Sequence, residues 1–129
     1  MASVITRNVE NLPNSVPLSS SAQVGDLIFT SGMGGMDAET GEVVSDDVCE
    51  QMDVAVARTV AVLEASGCTL SDVVKVVLYL TDPADYDRIN EVYVKWFGDH
   101  RPARTCIVAG GLPSRERVKL DTIASQRES

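Results

Sequence analysis

Arg104 opens an apolar stretch, Arg104-Thr105-Cys106-Ile107-Val108, and a guanidinium entering such a strand needs a partner. Period-two alternation puts Arg104, Cys106 and Val108 on one face, with Thr105 and Ile107 on the other. The plain account is a surface arginine or an ion pair with an acid. The chemical account is a planar fork held for a ligand carboxylate, through two parallel charge-assisted bonds of about 1.5–3 kcal/mol each. Asp121, between Leu120 and Thr122, shares its face with Lys119 and Ile123. It is either a solvated edge residue or a partly buried carboxylate able to orient water or accept a proton. Gly32-Met33-Gly34-Gly35 lacks the Lys-Ser/Thr of a phosphate loop and no helix follows it directly, so its glycines serve a tight turn or a close backbone approach. Cys106 reads as a small core thiol; a nucleophilic role would require His100, the one histidine, to approach it in space.

Composition narrows the classes. The 129 residues fit one domain, 1–129, and 19 acidic against 11 basic side chains give a net charge of −8. That balance opposes non-specific binding to nucleic acid or anionic lipid. Cys49, Cys68 and Cys106 form no C-x-x-C pair, and an odd count in one chain points to a reducing compartment. One histidine with no cysteine near it gives no zinc spacing, so no metal and no cofactor are expected. No signal peptide or membrane span is visible, and the cytoplasm is the expected location.

The elements that must position these residues follow from periodicity. The stretch through Ser21 reads as a short strand and then irregular chain, with tails at Met1-Ala2 and Gln126 to Ser129. Asp26 to Ser31 reads as a strand, Asp37 to Gly41 as a turn and Glu42-Val43-Val44 as a second short strand. Ser45, Asp46 and Asp47 are N-cap candidates for a helix whose stripe is Val48, Met52, Ala55, Val56, Thr59, Val60 and Leu63, stopped by Gly67. Asp72 to Leu80 is a β-branched central strand. Asp82-Pro83 starts a second helix with Tyr86, Ile89, Val92, Tyr93, Trp96 and Phe97 inward, and Gly98 ends it. Arg104–Ala109 and Arg117–Ala124 close the chain around a turn at Gly110 to Ser114. The result is an α+β domain with a mixed sheet and two helices on one face. Alternation assigns Val74, Val76, Leu78 and Leu80 to the uncovered face, and an exposed apolar sheet face implies a homo-oligomer that buries it.

Phe29-Thr30-Ser31-Gly32, Asn90-Glu91-Val92-Tyr93, the run Phe97 to Cys106, Leu112-Pro113 and Asp121-Thr122-Ile123-Ala124 together resemble the RidA (YjgF) family, from about Pro17 to Ala124. The resemblance implies a chorismate-mutase-like (YjgF-type) fold and a homotrimer with clefts between subunits. It also implies hydrolysis of reactive enamines and imines, of the 2-aminoacrylate/2-iminopropanoate type, to 2-oxo acids and ammonia. By the same likeness Arg104 grips the substrate carboxylate, while Ser31, Gly32, Asn90 and Cys106 line the cleft. Asp121 falls where such deaminases carry a glutamate that positions water, and is one methylene shorter. Leu18, within Pro17-Leu18-Ser19-Ser20-Ser21, stands in place of a tyrosine that would meet the substrate. Leu18 and Asp121 keep two other readings open: a deaminase of a larger enamine such as a 2-aminomuconate-like acid, and a non-catalytic oxo-acid-binding regulatory trimer. A ribonuclease reading would need Arg101, Arg104, Arg115, Arg117 and Lys119 to form one basic patch, against the net charge.

Overall fold

The computed structural model describes residues 3–9 and 16–126. Met1-Ala2, residues 10–15 and residues 127–129, which hold most of the expected tails and part of the opening stretch, lie outside the described residues. Seven strands form one mixed sheet: β1 (Val4–Arg7), β2 (Ser21–Val24), β3 (Leu27–Thr30), β4 (Met33–Gly34), β5 (Val73–Leu80), β6 (Ala103–Val108) and β7 (Val118–Ser125). Their spatial order is β1-β2-β3-β7-β5-β6, with β4 continuing the line of β3 along β7. Among the described residues only β5 and β6 run parallel, joined by a helical crossover as a parallel pair requires.

Two helices cover one face. Asp47 is the cap chosen from the three candidates: its carboxylate accepts from Cys49 N at 2.8 Å and starts α1 (Val48–Glu64). Gly67, with φ of 74°, lets Cys68 N fold back to Leu63 O and closes the helix. Asp82 caps as expected, accepting from Ala84 N, but what it starts is a 3-10 turn over Pro83–Asp85; α2 follows at Tyr86–Phe97. The core between helices and sheet holds Ile28, Met52, Val56, Leu63, Leu78, Leu80, Ile89 and Leu120, all fully buried. Each such side chain contributes about 1.5–3 kcal/mol. Arg117 Nη2 donates to both Asp85 carboxylate oxygens (2.7 and 2.8 Å) and ties the start of α2 to the start of β7.

Several expectations are corrected. Glu42-Val43-Val44 is not a strand; Val43 makes a single bridge to Met36. Strand β2 escapes sequence reading because it is four residues long and half polar, its place set by the two-residue turn Gly25-Asp26 that pairs it with β3. Gln126 is no tail: its backbone N donates to Asp26 O and its amide to Ser66 O. Tyr86 is exposed rather than inward, and Trp96 is half-buried, donating to Asp53.

The largest correction concerns the sheet faces. β7 runs past a bulge at Val74, pairing Val73 with Ala124 and Lys75 with Ile123. The extra residue returns Val73 to the face of Val76, Leu78 and Leu80, so all four are buried under the helices. From Lys75 onward alternation holds, and the helices cover the more apolar set, so the uncovered face carries Lys75, Val77 and Tyr79 on β5, not Val76, Leu78 and Leu80. Beside them stand Lys119, Asp121 and Ile123 on β7, Thr105 and Ile107 on β6, and Leu27 and Phe29 on β3. Leu27, Phe29 and Ile107 are 40, 39 and 44 % exposed, which is unusual company for a water-facing sheet.

Candidate functional site

The residues singled out from the sequence separate into two groups on opposite faces. Arg104 and Cys106 lie on the helix side of the edge strand β6, in register with Val76 and Leu78. Arg104 Nη2 donates to Asn90 Oδ1 (2.5 Å), and its guanidinium lies 4.7 Å from the Tyr93 ring centre and 5.5 Å from that of Tyr86. Among the described residues it forms no ion pair, so none of them neutralises its charge. Asn90 fixes the fork by one N–H, the two ring faces stabilise its charge, and the remaining N–H groups stay available for a carboxylate. Tyr86, Asn90, Tyr93, Arg101 and Arg104 line an open cleft of about 280 Å³ here. Tyr93 is buried, stacks on Phe97 at 4.3 Å, and its hydroxyl has no hydrogen-bond partner among the described residues.

No base among the described residues is shown activating Cys106. Burial pushes its thiol up, with the nearby Arg104 charge opposing that only in part. His100 does not serve it: Nε2 donates to Val73 O at 2.7 Å, at the bulge. Val73 lies five residues back along β5 from Leu78, the partner of Cys106, or roughly 16 Å at strand rise.

The second group gathers along β7. Phe29 pairs with Ile123 and Met33 with Leu120, so Ser31 and Gly32 run beside Asp121 and Thr122. Ser31 Oγ donates to Ser19 O at 2.6 Å, fixing the segment that carries Leu18. The Lys119 stem crosses Gly32 so closely that a Cβ there would come within 2.8 Å of Lys119 Cδ. Gly35 is tighter still, its notional Cβ 2.4 Å from Gln51 Cα on α1. The glycines thus serve close approach, one of the two uses expected. Leu18, Ser31, Gly32 and Lys119 share a cavity of about 470 Å³, and Leu18 is half exposed on its wall.

Asp121 is neither an edge residue nor solvated on all sides. β7 is an interior strand, and Asp121 Oδ2 accepts from the Tyr79 hydroxyl at 2.9 Å. That bond, more than burial, raises the Tyr79 phenol above its ordinary value. Lys119 Nζ lies 3.1 Å from Glu116 Oε1, a fully buried carboxylate. Two of the five basic residues of the imagined patch are therefore spent: Lys119 on Glu116 and Arg117 on Asp85. Sequence reasoning gives Tyr79 no site role, reads Tyr86 and Tyr93 as helix core and places Lys119 in a basic patch. An amphipathic Tyr79 in an apolar strand is the one local hint.

A family model described as endoribonuclease L-PSP matches residues 9–126. The chain belongs to this family, RidA (YjgF). A RutC family protein of Pyrococcus abyssi is 40 % identical over 108 residues, covering 84 % of this chain and 85 % of that one. A human family member named 2-iminobutanoate/2-iminopropanoate deaminase is 33 % identical over 129 residues, covering 98 % and 94 %. Among solved structures, a protein from Thermotoga maritima described as a putative endoribonuclease superposes with a TM-score of 0.87 at 36 % identity, over 96 % of this chain and all of that one. RidA relatives thus include proteins named as imine deaminases, and the fold is the family's. No helix among the described residues is long and apolar enough to cross a membrane.

Proposed function

We propose that this chain is a hydrolytic deaminase of small carboxylate-bearing enamines and imines, and that its sites are clefts between copies of itself. The observation that carries the reading is Arg104: a guanidinium oriented by Asn90 and two tyrosine rings, without an acidic partner among the described residues. Such a fork suits a carboxylate by charge and shape. The name of the human relative supports the substrate class.

The two faces support an assembly of copies. Arg104 on the helix side and Asp121 on the uncovered side cannot reach one small molecule within a single chain. The uncovered apolar face and the free edge of β6 supply surfaces through which one copy's Arg104 group meets another's Ser31–Asp121 group. A homotrimer, the arrangement implied by the family likeness, satisfies this geometry.

In that cleft the substrate carboxylate docks on Arg104, and the enamine H₂C=C(NH₂)–COO⁻ tautomerises to the imine CH₃–C(=NH)–COO⁻. Water directed by Asp121 adds to the imine carbon, its proton passing through the carboxylate to nitrogen. The C–N bond of the resulting carbinolamine breaks, leaving a 2-oxo acid and ammonia. Imines hydrolyse readily in water, so positioning and modest electrostatic help suffice. The cavity at Leu18 favours a second version of the same chemistry, in which the enamine is larger than three or four carbons.

The test generates 2-aminoacrylate and 2-aminocrotonate in place with a serine/threonine dehydratase, traps free imine with semicarbazide, and follows oxo-acid release. Faster release and less trapped imine than in the protein-free control is the expected result. Equal rates with and without protein, for both substrates, would sink the small-imine reading and leave the larger enamine or a binding role.

A further inference from the structure

The carboxylate assigned to water in the proposed deaminase is short and rooted in an interior strand, and it does not stand alone. Tyr79 is the diagonal neighbour of Asp121 across β5 and β7: Asp121 lies opposite Val77, and Tyr79 lies opposite Lys119. Diagonal neighbours on one sheet face stand about 7–8 Å apart, a gap a tyrosine can cross. The 2.9 Å bond from its hydroxyl to Oδ2 is the result. The other donors on this face point elsewhere. Lys75 Nζ donates to Thr105 Oγ1 at 2.8 Å, and Lys119 is paired with Glu116. Among the described residues the phenol is therefore the one donor holding the Asp121 carboxylate.

We propose that Tyr79 is the positioning residue of this site: its hydroxyl engages one oxygen of Asp121 and thereby aims the other at the attacking water. The inference rests on the deaminase reading and deepens it. A free aspartate turns about two side-chain torsions, and sites of this kind lose rate when a reacting group strays by about 1 Å. Tyr79 removes that freedom without touching the substrate carboxylate, which belongs to Arg104. It acts on turnover, not on ground-state binding.

Four proteins decide it: wild type, Tyr79→Phe, Asp121→Asn and the double variant, each checked for an unchanged melting profile. Turnover is read in the dehydratase-coupled assay, and ground-state affinity by calorimetry with 2-oxobutanoate, a stable oxo acid. Tyr79→Phe is expected to turn over about tenfold more slowly while its affinity for 2-oxobutanoate stays within twofold of wild type. Because Tyr79 acts through Asp121, the double variant should be no slower than Asp121→Asn alone. A Tyr79→Phe protein as fast as wild type, losses that multiply in the double variant, or a fall in affinity matching the fall in rate would each overturn the inference while leaving the deaminase standing. A wild-type protein with no effect on imine breakdown overturns both.

Discussion

Replacing Arg104 by alanine is the perturbation whose size the structure sets most directly. Arg104 carries five N–H groups, of which Asn90 takes one, so a bidentate grip on a carboxylate remains possible. Two charge-assisted bonds at about 1.5–3 kcal/mol each put roughly 3–6 kcal/mol on the substrate. At about 1.4 kcal/mol per factor of ten, kcat/KM should fall by about 10²–10⁴. The fold loses less. Contacts with the Tyr93 and Tyr86 rings contribute about 0.5–1 kcal/mol each and the Asn90 bond about 1 kcal/mol, partly offset by releasing a half-buried charge. A net loss of about 1–2 kcal/mol lowers Tm by roughly 4–8 °C, and the protein stays folded at 25 °C. Arg104→Lys keeps the charge without the fork and should recover no more than about tenfold of the loss. The assay is oxo-acid formation from in-place imine, with circular dichroism to confirm the fold. A folded Arg104→Ala protein within threefold of wild type, or an Arg104→Lys protein equal to it, refutes the carboxylate-fork argument.

Three further outcomes are expected. Leu18→Tyr, on the wall of the 470 Å³ cavity, should shift the ratio of rates toward small imines over bulky ones by about tenfold; an unchanged ratio removes Leu18 from specificity. Gly35→Ala would set a Cβ 2.4 Å from the Gln51 backbone, forcing α1 off the sheet at a cost of about 3 kcal/mol and roughly 10 °C in Tm, and an unshifted melting curve would show that α1 yields freely. Tyr79, raised by its bond to Asp121, stabilises the fold below the ordinary phenol value of 10.0 and ceases to do so as pH rises through its higher folded value. Wild type should accordingly lose stability above pH 10 more steeply than Asp121→Asn in denaturant titrations; parallel curves would mean the bond is not maintained in solution.

Much of this architecture can be read from residue order, because the signals are local. Asp47 before an apolar stripe and Gly67 after it bound α1 without knowledge of the rest of the chain. Alternation correctly puts Arg104 with Cys106 and Asp121 with Lys119. What escapes reading depends on register between distant segments. The bulge at Val74 swaps Val73 and Val74 between faces, and it is defined only by the register of β5 against β7. The Tyr79–Asp121 bond joins residues 42 apart through a diagonal that no spacing rule supplies. The two-sided layout of the site was hidden for the same reason: within each strand the facing is legible, but the relation of one strand's face to another's is a property of the assembled sheet.

That layout has a genetic consequence. If each cleft draws Arg104 from one copy and Asp121 from the next, then damage to either residue cripples a copy in only one of its two roles. Mixing Arg104→Ala chains with Asp121→Asn chains would rebuild intact clefts wherever an undamaged Arg104 abuts an undamaged Asp121, so two inactive alleles would complement each other in one cell. A carrier of one defective allele would lose clefts in proportion to the share of defective chains, however the subunits mix.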